Sequence, residues 1–389
     1  MRVLFLHYLD DVRAGGSLRV GQLLANHLCP REVEARILFA YGDRGPVGSQ
    51  STARVDYARV GWRWDVAGWL RFRKYIREFN PDILHFQDPL TVGRGFLSGL
   101  SARRITHCHG RPLRRPSTAA QRINAWWQRR DTDLFICIDA VAAEVLERTG
   151  LARAGQCVVL PNGVDFDFLQ TRPSRSGARQ TLGLPGDVKL LGMVCRVVEH
   201  KGFPDLFRQM TFLPSEWHAA IFGEGGDRPR LEARARELGL GDRVHFVGPV
   251  ADVRPAYAAM DAYFFACAHE PFGLVLAEAM ASGVPVFGLH GLGEYRTHQP
   301  PLVDESVAVF LERENAARLD DLRQAAIPES DDLHKILAGR IAAFDPMSAP
   351  SQAMLHAASE RIRVHFDIQA RAVQLNHIYR ELLSRRLGA

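Results

Sequence analysis

This 389-residue sequence lacks the features that mark several large classes of protein. It has no uninterrupted run of about 18 apolar residues, so no transmembrane helix is expected. Its six cysteines include no C-x-x-C pair, which argues against a zinc site and for free thiols in a reducing compartment. The opening residues, MRVLFLHYLDD, have too short an apolar run for a signal peptide and instead predict a buried first strand. We therefore expect a cytoplasmic protein.

Length and charge set further bounds on the fold and on its partners. The chain is too long for one ordinary hydrophobic core, so two domains are expected. Hydrophobic residues make up 47% of the sequence and charged residues 24%, which excludes a wholly disordered chain. The net charge of +5 is uneven, because residues 1–180 carry +10 and the remainder carries −5. The basic half should face an anion such as a phosphate, a nucleic acid or a lipid surface.

Short apolar runs alternate with amphipathic stretches in both halves, a pattern typical of parallel sheets with helical crossovers. Strands are predicted at 3–7, 35–39, 83–86, 104–107 and 134–138, and again at 189–194, 218–222, 244–247, 262–265 and 284–287. The stretch TRPSRSGARQ between the two sets is typical of a linker. We predict an N-terminal α/β domain over 1–165, a linker over 166–187 and a second α/β domain over 188–366. A helix over 367–387 with one apolar face ends the chain.

The first strand leads into Ala14-Gly15-Gly16-Ser17 and then into a predicted helix. Glycines between a strand and a helix let backbone N–H groups approach an anion. The sequence lacks the full G-x-G-x-x-G pattern, so a dinucleotide site is not supported. Phosphate binding and a plain tight turn both remain open at Gly15 and Gly16.

A second candidate segment, CRVVEHKG, follows the first strand of the second domain. Open α/β sheets place their ligands at the carboxyl ends of strands. Arg196 and Lys201 could therefore bind a diphosphate from two sides, because Arg and Lys are the usual phosphate-binding side chains. The alternative is that both are solvated surface cations.

The segment EPFGLVLAE, over 270–278, carries two carboxylates eight residues apart. Glu270 closes an apolar strand, and helical character begins at Leu274, so Glu278 falls about one turn inside a helix. Carboxylates in one cleft can accept hydrogen bonds from sugar hydroxyls, and the amides of a first helical turn can bind a phosphate. The alternative is one acid at a helix N-terminus and one solvated acid, although Glu278 has small apolar neighbours that favour a lined cleft.

His107, Cys108 and His109 end a strand of the first domain. Two histidines around a cysteine suggest a metal, but no third or fourth ligand lies nearby in the sequence, so we expect none. His109, just before Gly110, is better placed as a polar group in a cleft. His107 could instead be a structural histidine.

These motifs, in this order and spacing, resemble the retaining nucleotide-sugar glycosyltransferases of the GT-B fold, family 4 type. The resemblance covers nearly the whole chain and rests on AGGS, the His-Gly at 109–110, PNGVD, R-x4-KG at 196–202, FGEGGDRPRLE, RVHFVG and EPFGLVLAEAMASGVPV. It implies two Rossmann-like, doubly wound domains facing a cleft. It also implies that the C-terminal helix packs back onto the N-terminal domain.

The resemblance also implies roles for the residues of the second domain. Arg196 and Lys201 would contact the diphosphate of the nucleotide-sugar donor. Glu278 would bind the ribose and Glu270 the hydroxyls of the donor sugar, assisted by backbone amides around Phe272, Gly273 and Leu274. No metal or other cofactor is implied in the site.

In the first domain, the resemblance places His109 toward the transferred sugar and Gly15 and Gly16 beside the phosphates. Three departures from the family pattern bear on donor preference or turnover: Cys195 where Gly is frequent, Ala266-Cys267 where Pro-Ser is frequent, and Gly291-Leu292-Gly293-Glu294 where Gly-Gly-Glu is common. Residues 304–350 match the family poorly.

Two basic stretches of the first domain combine cations with tryptophan. Ser101–Arg130 has eight arginines, no acid, and Trp126 with Trp127, and Arg59–Arg77 has six cations, five aromatic residues and a single acid. Cations with indole rings are typical of surfaces that meet anionic headgroups. We expect peripheral binding to the inner face of the cytoplasmic membrane. The alternative is that the tryptophans are core and the arginines are solvated or bind an anionic soluble acceptor.

The sequence thus predicts transfer of a sugar from a nucleotide-sugar donor to a glycan or lipid-linked acceptor in lipopolysaccharide or other bacterial envelope polysaccharide synthesis. Alternatives are an epimerase-like or inactive protein of the same fold. A nucleic-acid-binding protein is disfavoured because no RNA- or DNA-binding motif is present.

Overall fold

The computed structural model describes residues 1–11, 16–88, 90–110, 118–267, 270–289, 301–311 and 331–384. The chain divides into two compact units. Unit 1 contains Met1–Asp165 and Phe366–Ala389, and unit 2 contains Phe166–His365. Across the described ranges, no helix combines the length and apolarity needed to cross a membrane.

Unit 1 is built on a parallel sheet whose strands occur in the order β3-β2-β1-β4-β5-β6-β7. The chain order reverses between β1 and β4, which makes the carboxyl ends of these two strands the switch point of the sheet. The strands are β1 (Arg2–Leu9), β2 (Glu34–Tyr41), β3 (Arg54–Val60), β4 (Ile83–Phe86), β5 (Arg103–Cys108), β6 (Leu134–Cys137) and β7 (Cys157–Val159).

The helices that cover this sheet begin at capping residues in two clear cases. Asp65 accepts a hydrogen bond from the amide of Gly68 at the start of α3, and Asp139 accepts one from Ala142 at the start of α6. The helices are α1 (Gly16–His27), α2 (Pro46–Gln50), α3 (Val66–Phe79), α4 (Thr91–Phe96), α5 (Ala119–Asp131) and α6 (Ala140–Arg148). Trp69 and Phe72 of α3 are buried against Leu4, Leu38 and Phe86 of the sheet.

Unit 2 repeats this architecture with a parallel sheet in the order β10-β9-β8-β11-β12-β13 and a switch point between β8 and β11. The strands are β8 (Lys189–Val194), β9 (Trp217–Phe222), β10 (Val244–Gly248), β11 (Ala262–Phe265), β12 (Val286–Leu289) and β13 (Val309–Leu311). The helices are α7 (Phe166–Gln170), α8 (Arg175–Leu182), α9 (Phe203–Phe212), α10 (Arg228–Glu237), α11 (Arg254–Ala259), α12 (Leu274–Ala281), α13 (Asp331–Ala343) and α14 (Ala349–His365).

The last helix, α15 (Ile368–Ser384), belongs to unit 1 and packs against α1. Its buried face consists of Ile368, Ala372, Leu375, Tyr379 and Leu382. The Val164 amide donates to the Phe366 carbonyl at 2.9 Å, and the Ile368 amide donates to the Val164 carbonyl at 2.9 Å. A Cβ on Gly163 would lie 3.0 Å from the Phe366 carbonyl oxygen, so the glycine of PNGVD permits this close approach.

The predicted pair of parallel α/β domains is confirmed, and each predicted strand is present with ends within about two residues. The segment 166–187 differs from the predicted linker because it forms α7 and α8 within unit 2. Arg179 of α8 is buried and pairs with Asp261 at 2.8 Å, which anchors the segment to the sheet. Strands β3, β7 and β13 and helices α2, α5 and α13 were not predicted.

Candidate functional site

Two loops of unit 2 meet at the switch point of its sheet. One follows β8 and carries Arg196 and Lys201, and the other follows β11 and carries Glu270 before α12 begins. The two strands are neighbours, so the loops leave the sheet side by side. This is the edge at which open α/β sheets bind their ligands.

Lys201 and Glu270 form an ion pair across these two loops. Lys201 Nζ donates to Glu270 Oε2 at 2.7 Å, and the side chains are only 16% and 23% exposed. Burial alone would lower the pKa of Lys201, but the neighbouring Glu270 carboxylate outweighs burial and the pKa is raised. The ammonium group is therefore held in its charged form.

A glycine sets the position of Lys201. Gly202 has a φ of +90°, and a Cβ there would lie 2.6 Å from the carbonyl oxygen of Ala266 at the end of β11. Only glycine fits both the left-handed conformation and this close approach. The Lys201 loop is consequently held against the strand that leads to Glu270.

The loop after β9 holds the other side of the Arg196 segment. A Cβ on Gly223 would overlap the carbonyl of Cys195, and a Cβ on Gly225 would overlap the carbonyl of Val197. The Val197 amide donates to the Glu224 carbonyl at 3.0 Å. Arg196 itself is exposed, and within the described ranges its guanidinium makes no ion pair. A cation is thus presented from a tightly packed backbone.

Helix α12 positions the second carboxylate. Gly273, with a φ of +83°, precedes the first helical residue Leu274, and Phe272 is buried. Glu278 lies one turn into the helix, where its Oε2 accepts a hydrogen bond from the Tyr257 hydroxyl at 2.8 Å. Burial, reinforced by the adjacent Glu278 carboxylate, raises the pKa of Tyr257 well above its ordinary value. The hydroxyl therefore stays protonated as a donor.

Sequence reasoning missed Tyr257 and a second buried tyrosine, Tyr263. The two rings lie 6.2 Å apart, and the Tyr263 hydroxyl donates to the carbonyl of Val194 at 3.4 Å, at the end of β8. Tyr257 supports the helix that carries Glu278, whereas Tyr263 supports the strand that leads to Arg196. Neither belongs to a short motif, so no pattern in the sequence indicates them.

In unit 1, His109 follows β5 and is partly buried. Its Nε2 donates to Gln87 Oε1 at 2.6 Å, and its ring stacks on His107 with centroids 4.0 Å apart. Burial lowers the pKa of His109 to about 4. The ring is therefore neutral near pH 7, with the proton on Nε2.

His109 belongs to a row of stacked histidine rings that continues through β5 to β4. His107 stacks on His85 with centroids 5.3 Å apart, and His85 Nδ1 lies 2.5 Å from the hydroxyl of Tyr379 on α15. Burial lowers the pKa values of His85 and His107 well below the ordinary value. Within the described parts of the chain, no three His, Cys, Asp or Glu side chains are arranged to hold a metal ion.

Of the remaining predicted residues, some are described by the structure and others lie outside the described ranges. Gly16 is the exposed first residue of α1, whereas Gly15 lies outside the described residues. The Gly291–Glu294 segment also lies outside them. The structure brings Lys201 and Glu270 into contact, and places Arg196 and Glu278 on elements that follow the same two strands.

The two basic stretches divide into core and surface. Trp69 and Phe72 are buried, so the prediction that they belong to a membrane-facing surface is wrong. Trp62, Trp64 and Trp126 are 61%, 56% and 51% exposed. The guanidinium of Arg63 lies 5.6 Å from the ring of Trp64, and that of Arg130 lies 5.2 Å from the ring of Trp126.

Other cations of these stretches form ion pairs within unit 1. Arg103 pairs with Asp133 at 2.9 Å and Arg104 with Asp131 at 2.8 Å, and both arginines are partly buried. These two residues are therefore unavailable to a surface partner. Arg111, Arg114 and Arg115 lie outside the described residues.

Two protein-family models match the chain. The model described as "Glycosyltransferase Family 4" matches residues 14–168, and "Glycosyl transferases group 1" matches residues 174–294. Together they span most of unit 1 and the half of unit 2 that carries Arg196, Lys201, Glu270 and Glu278.

The chain is similar to several named glycosyltransferases and to solved structures. LpsD and LpsE of Rhizobium meliloti (strain 1021), named lipopolysaccharide core biosynthesis glycosyltransferases, are 26% and 27% identical to the chain. Each match covers 75% of this chain, and the two matches cover 79% of LpsD and 80% of LpsE, respectively. The structure of Anabaena HepE with UDP-glucose matches with a TM-score of 0.78, 21% identity and coverage of 98% of this chain and 100% of HepE. WaaG, described as a glycosyltransferase involved in lipopolysaccharide biosynthesis, matches with a TM-score of 0.69, 17% identity and coverage of 97% and 99%.

Proposed function

Because the chain belongs to the GT-B glycosyltransferases of the family 4 type, we propose that it transfers a hexose, with retention of anomeric configuration, from a nucleoside diphosphate sugar to a glycan or lipid-linked acceptor. The observation that carries the proposal is the Lys201–Glu270 ion pair, 2.7 Å long, at the switch point of the unit 2 sheet. A cation and a carboxylate there are suited to a diphosphate and to sugar hydroxyls, respectively.

The two cations act on the leaving group. When the glycosidic bond to the diphosphate breaks, negative charge grows on the diphosphate oxygens. Lys201 is held charged and partly buried, where a fixed charge stabilises a developing anion more strongly than it would in water. Arg196, exposed on the adjacent loop, adds a planar donor group that can bind two phosphate oxygens.

The carboxylates and the start of α12 bind the rest of the donor. Glu270 accepts hydrogen bonds from hydroxyls of the transferred sugar, and Glu278 accepts them from the ribose. Backbone amides of Phe272, Gly273 and Leu274 lie at the positive end of the α12 dipole, which favours an anionic ligand.

Unit 1 supplies the groups that the resemblance assigns to the donor sugar and phosphates. His109 is neutral near pH 7, so we assign it a hydrogen-bonding role rather than the supply of positive charge. Gly16, the first residue of α1, and Gly15, which precedes it in the sequence, are assigned to the phosphates. We propose that the transfer needs no metal ion, because cations of the protein neutralise the diphosphate.

The names of the relatives direct the choice of pathway and donor. LpsD and LpsE are named for lipopolysaccharide core biosynthesis, and the HepE structure contains UDP-glucose. We propose a cytoplasmic enzyme of bacterial envelope polysaccharide synthesis, with a uridine diphosphate sugar as the first donor to test.

The test is a thermal-shift panel of UDP-, GDP-, ADP- and dTDP-sugars, followed by product analysis with the donor that binds. Stabilisation by one nucleotide class and appearance of a glycoside whose anomeric configuration equals that of the donor support the proposal. An altered but untransferred nucleotide sugar would instead indicate an epimerase. Binding without any product, with acceptors of the lipopolysaccharide core, would indicate an inactive protein.

We further propose that unit 1 binds an anionic membrane surface through its exposed tryptophans. Helices α3 and α5 both pack on α4, so Trp64, just before α3, and Trp126, on α5, belong to one helical layer. Arg63 and Arg130 lie beside these two rings. Indole rings favour the membrane interface, and each cation near an anionic surface contributes about 1 kcal/mol.

Co-sedimentation with vesicles of phosphatidylglycerol and phosphatidylcholine tests this surface. Binding should require the anionic lipid and weaken in high salt. Trp64→Ala and Arg130→Glu should each reduce it, whereas Arg153→Glu, an exposed cation far from both helices in sequence, should not. Equal, negligible sedimentation with and without anionic lipid would favour a soluble acceptor and no membrane contact.

A further inference from the structure

Three of the six cysteines lie together on one face of the unit 1 sheet. Cys108 is the last residue of β5, Cys137 is the last residue of β6, and Cys157 is the first residue of β7. The strand register pairs Cys108 directly with Cys137, and it pairs Cys157 with Phe135, two residues before Cys137. Paired residues of parallel strands point to the same face, as do residues two apart in one strand, so the three thiols share a face.

These three thiols are in contact with one another. Cys137 is buried, and Cys108 and Cys157 are partly buried against the same apolar cluster. Hydrogen bonds with the thiols of Cys108 and Cys157, together with burial, raise the pKa of Cys137 well above its ordinary value. Cys137 is therefore held as the neutral thiol. An oxidant from solvent would reach one of its partly exposed neighbours first.

The strand register decides which neighbour can be bridged to Cys137. A disulfide requires Cα atoms about 4.4–6.8 Å apart. Directly paired residues of neighbouring strands, such as Cys108 and Cys137, lie about 4.8 Å apart. Cys157 is displaced by two residues, about 6.6 Å along the strand, so its Cα lies on a diagonal of about 8 Å from that of Cys137. Hydrogen bonding with Cys137 lowers the pKa of Cys157 and favours its thiolate, but that diagonal is too long for a disulfide.

We propose that Cys108 and Cys137 form a site of reversible oxidation, in which a hydroperoxide converts the two thiols into a disulfide. The Cys108 thiolate attacks one peroxide oxygen, the O–O bond breaks, and Cys108 becomes a sulfenic acid. The Cys137 sulfur then attacks the Cys108 sulfur, an S–S bond forms, and the S–O bond breaks as water leaves. In sum, two thiols and one hydrogen peroxide give one disulfide and two water molecules. The two sulfurs lose two electrons, the peroxide gains them, and both thiol protons end in the water.

The disulfide would act on His109, which directly follows Cys108. The Cβ atoms of a disulfide lie about 3.8 Å apart, which is about 1 Å less than the strand spacing. β5 lies between β4 and β6, so the disulfide draws the end of β5 toward β6 and away from β4. Gln87, which accepts the 2.6 Å hydrogen bond from His109 Nε2, directly follows β4. We expect this hydrogen bond to lengthen, and a loss of sugar transfer then rests on the proposed function, in which His109 contacts the donor sugar.

Mass mapping of the full-length protein tests the site. The protein is reduced, desalted, exposed to hydrogen peroxide and alkylated, and its peptides are compared before and after reduction with dithiothreitol. We expect one disulfide, between Cys108 and Cys137, and the loss of two of the six free thiols. The kcat/KM of the oxidised protein should fall by about tenfold or more, because a displacement of about 1 Å can cost about 10²-fold. Dithiothreitol should restore it.

Cys137→Ala removes the partner of Cys108. It should abolish both the disulfide and the reversible loss of transfer, and leave transfer by the reduced protein unchanged. Cys157→Ser is the matched control, because it changes the other thiol in contact with Cys137, and it should keep both effects. If Cys137→Ala fails to fold, Cys108→Ala, at a partly exposed position, replaces it.

The outcomes separate the site from the proposed function. No disulfide in the peroxide-treated protein, or one between Cys137 and Cys157, overturns the site. A mapped Cys108–Cys137 disulfide with unchanged transfer, or a reversible loss of transfer that persists in Cys137→Ala, overturns the action on His109. The mapping needs no substrate. Absence of transfer by the reduced protein with every donor therefore overturns the proposed function and leaves the disulfide site intact.

Discussion

Replacing Lys201 by methionine removes the ammonium group that lies 2.7 Å from Glu270 Oε2 and keeps an unbranched side chain. If Lys201 stabilises the leaving diphosphate, the loss of one fixed charge should reduce kcat/KM by about 10²- to 10³-fold. Arg196 remains, so residual activity is expected. The assay is initial-rate transfer with the donor identified by the binding panel.

The same variant should lose stability by an amount that follows from the burial of the pair. The side chains are 16% and 23% exposed, which places the pair between surface ion pairs, worth about 0–1 kcal/mol, and buried ones, worth about 3–5 kcal/mol when one partner is removed. We expect Lys201→Met to lower the free energy of unfolding by about 1–3 kcal/mol. For a unit of this size each kcal/mol lowers Tm by about 2–4 °C.

The pKa of Lys201 gives this loss a pH window. Its pKa in the folded protein lies above the ordinary 10.5, so the pair stabilises the fold fully below pH 10.5. The stabilisation disappears as the pH rises through the higher folded-state value. The Tm difference between the unaltered protein and Lys201→Met should therefore be constant from about pH 7 to 9 and shrink once the pH rises above the ordinary pKa of 10.5.

A double-mutant cycle separates catalysis from stability. Lys201→Met, Glu270→Gln and the combined variant should show a coupling of about 1–3 kcal/mol in unfolding free energy. Near-full transfer activity in folded Lys201→Met would refute the diphosphate assignment. Additive stability losses would refute the ion pair.

Three further outcomes are expected. Gly202→Ala should lower Tm and kcat/KM although every charged group remains, because its Cβ would lie 2.6 Å from the Ala266 carbonyl oxygen; Gly186→Ala, with no atom within 4 Å of its Cβ, is the control. The unfolding free energy should fall as the pH drops from 6.5 to about 4, because folding holds His109 neutral while the unfolded chain takes up the proton; pH-dependent urea denaturation against His109→Asn measures this. Donor binding and transfer should persist in EDTA, whereas activity lost in EDTA and restored by Mg²⁺ or Mn²⁺ would contradict metal-independent transfer.

The strands that sequence patterns predict are those in the interior of the sheets. β1, β4 and β8 are largely buried on both faces because helices cover them, and their mostly apolar runs are easily recognised. β3 and β7 lie at the two edges of the unit 1 sheet, and β3 carries Arg54, Asp56 and Arg59. An edge strand needs less burial, so the pattern of β3 resembles a polar loop, whereas β7 is an apolar run of only three residues.

The segment 166–187 was wrongly predicted to be a linker for a related reason. Its Ser, Gly and Arg content is typical of a linker, yet Ser174 caps α8 and Gly183, with a φ of +65°, ends it. Arg179 is buried because its guanidinium bonds to Asp261 and to the carbonyl oxygens of Pro185 and Val188. An arginine that satisfies backbone carbonyls in a core cannot be distinguished by composition from a solvated one.

The charged residues of the candidate site were predicted, but the groups that orient them were not. Lys201 and Glu270 occur in recognisable motifs at strand ends, and the structure joins them at 2.7 Å. Tyr257 and Gln87 act on Glu278 and His109 across gaps of 21 and 22 residues, so only the folded chain shows the contact.

Three glycines of unit 2 position the backbone that carries the cations Arg196 and Lys201. Gly202 lets the Lys201 loop contact Ala266, while Gly223 and Gly225 let the loop after β9 contact the carbonyls of Cys195 and Val197. The backbone on either side of Arg196 is thereby contacted at both Cys195 and Val197. A fixed backbone would reduce the reorganisation needed to bind the proposed diphosphate, and a charge is most effective in a transition state when little reorganisation is needed. The glycines and the charged residues of this unit therefore act together. A substitution of either kind should impair the same proposed step, the departure of the diphosphate.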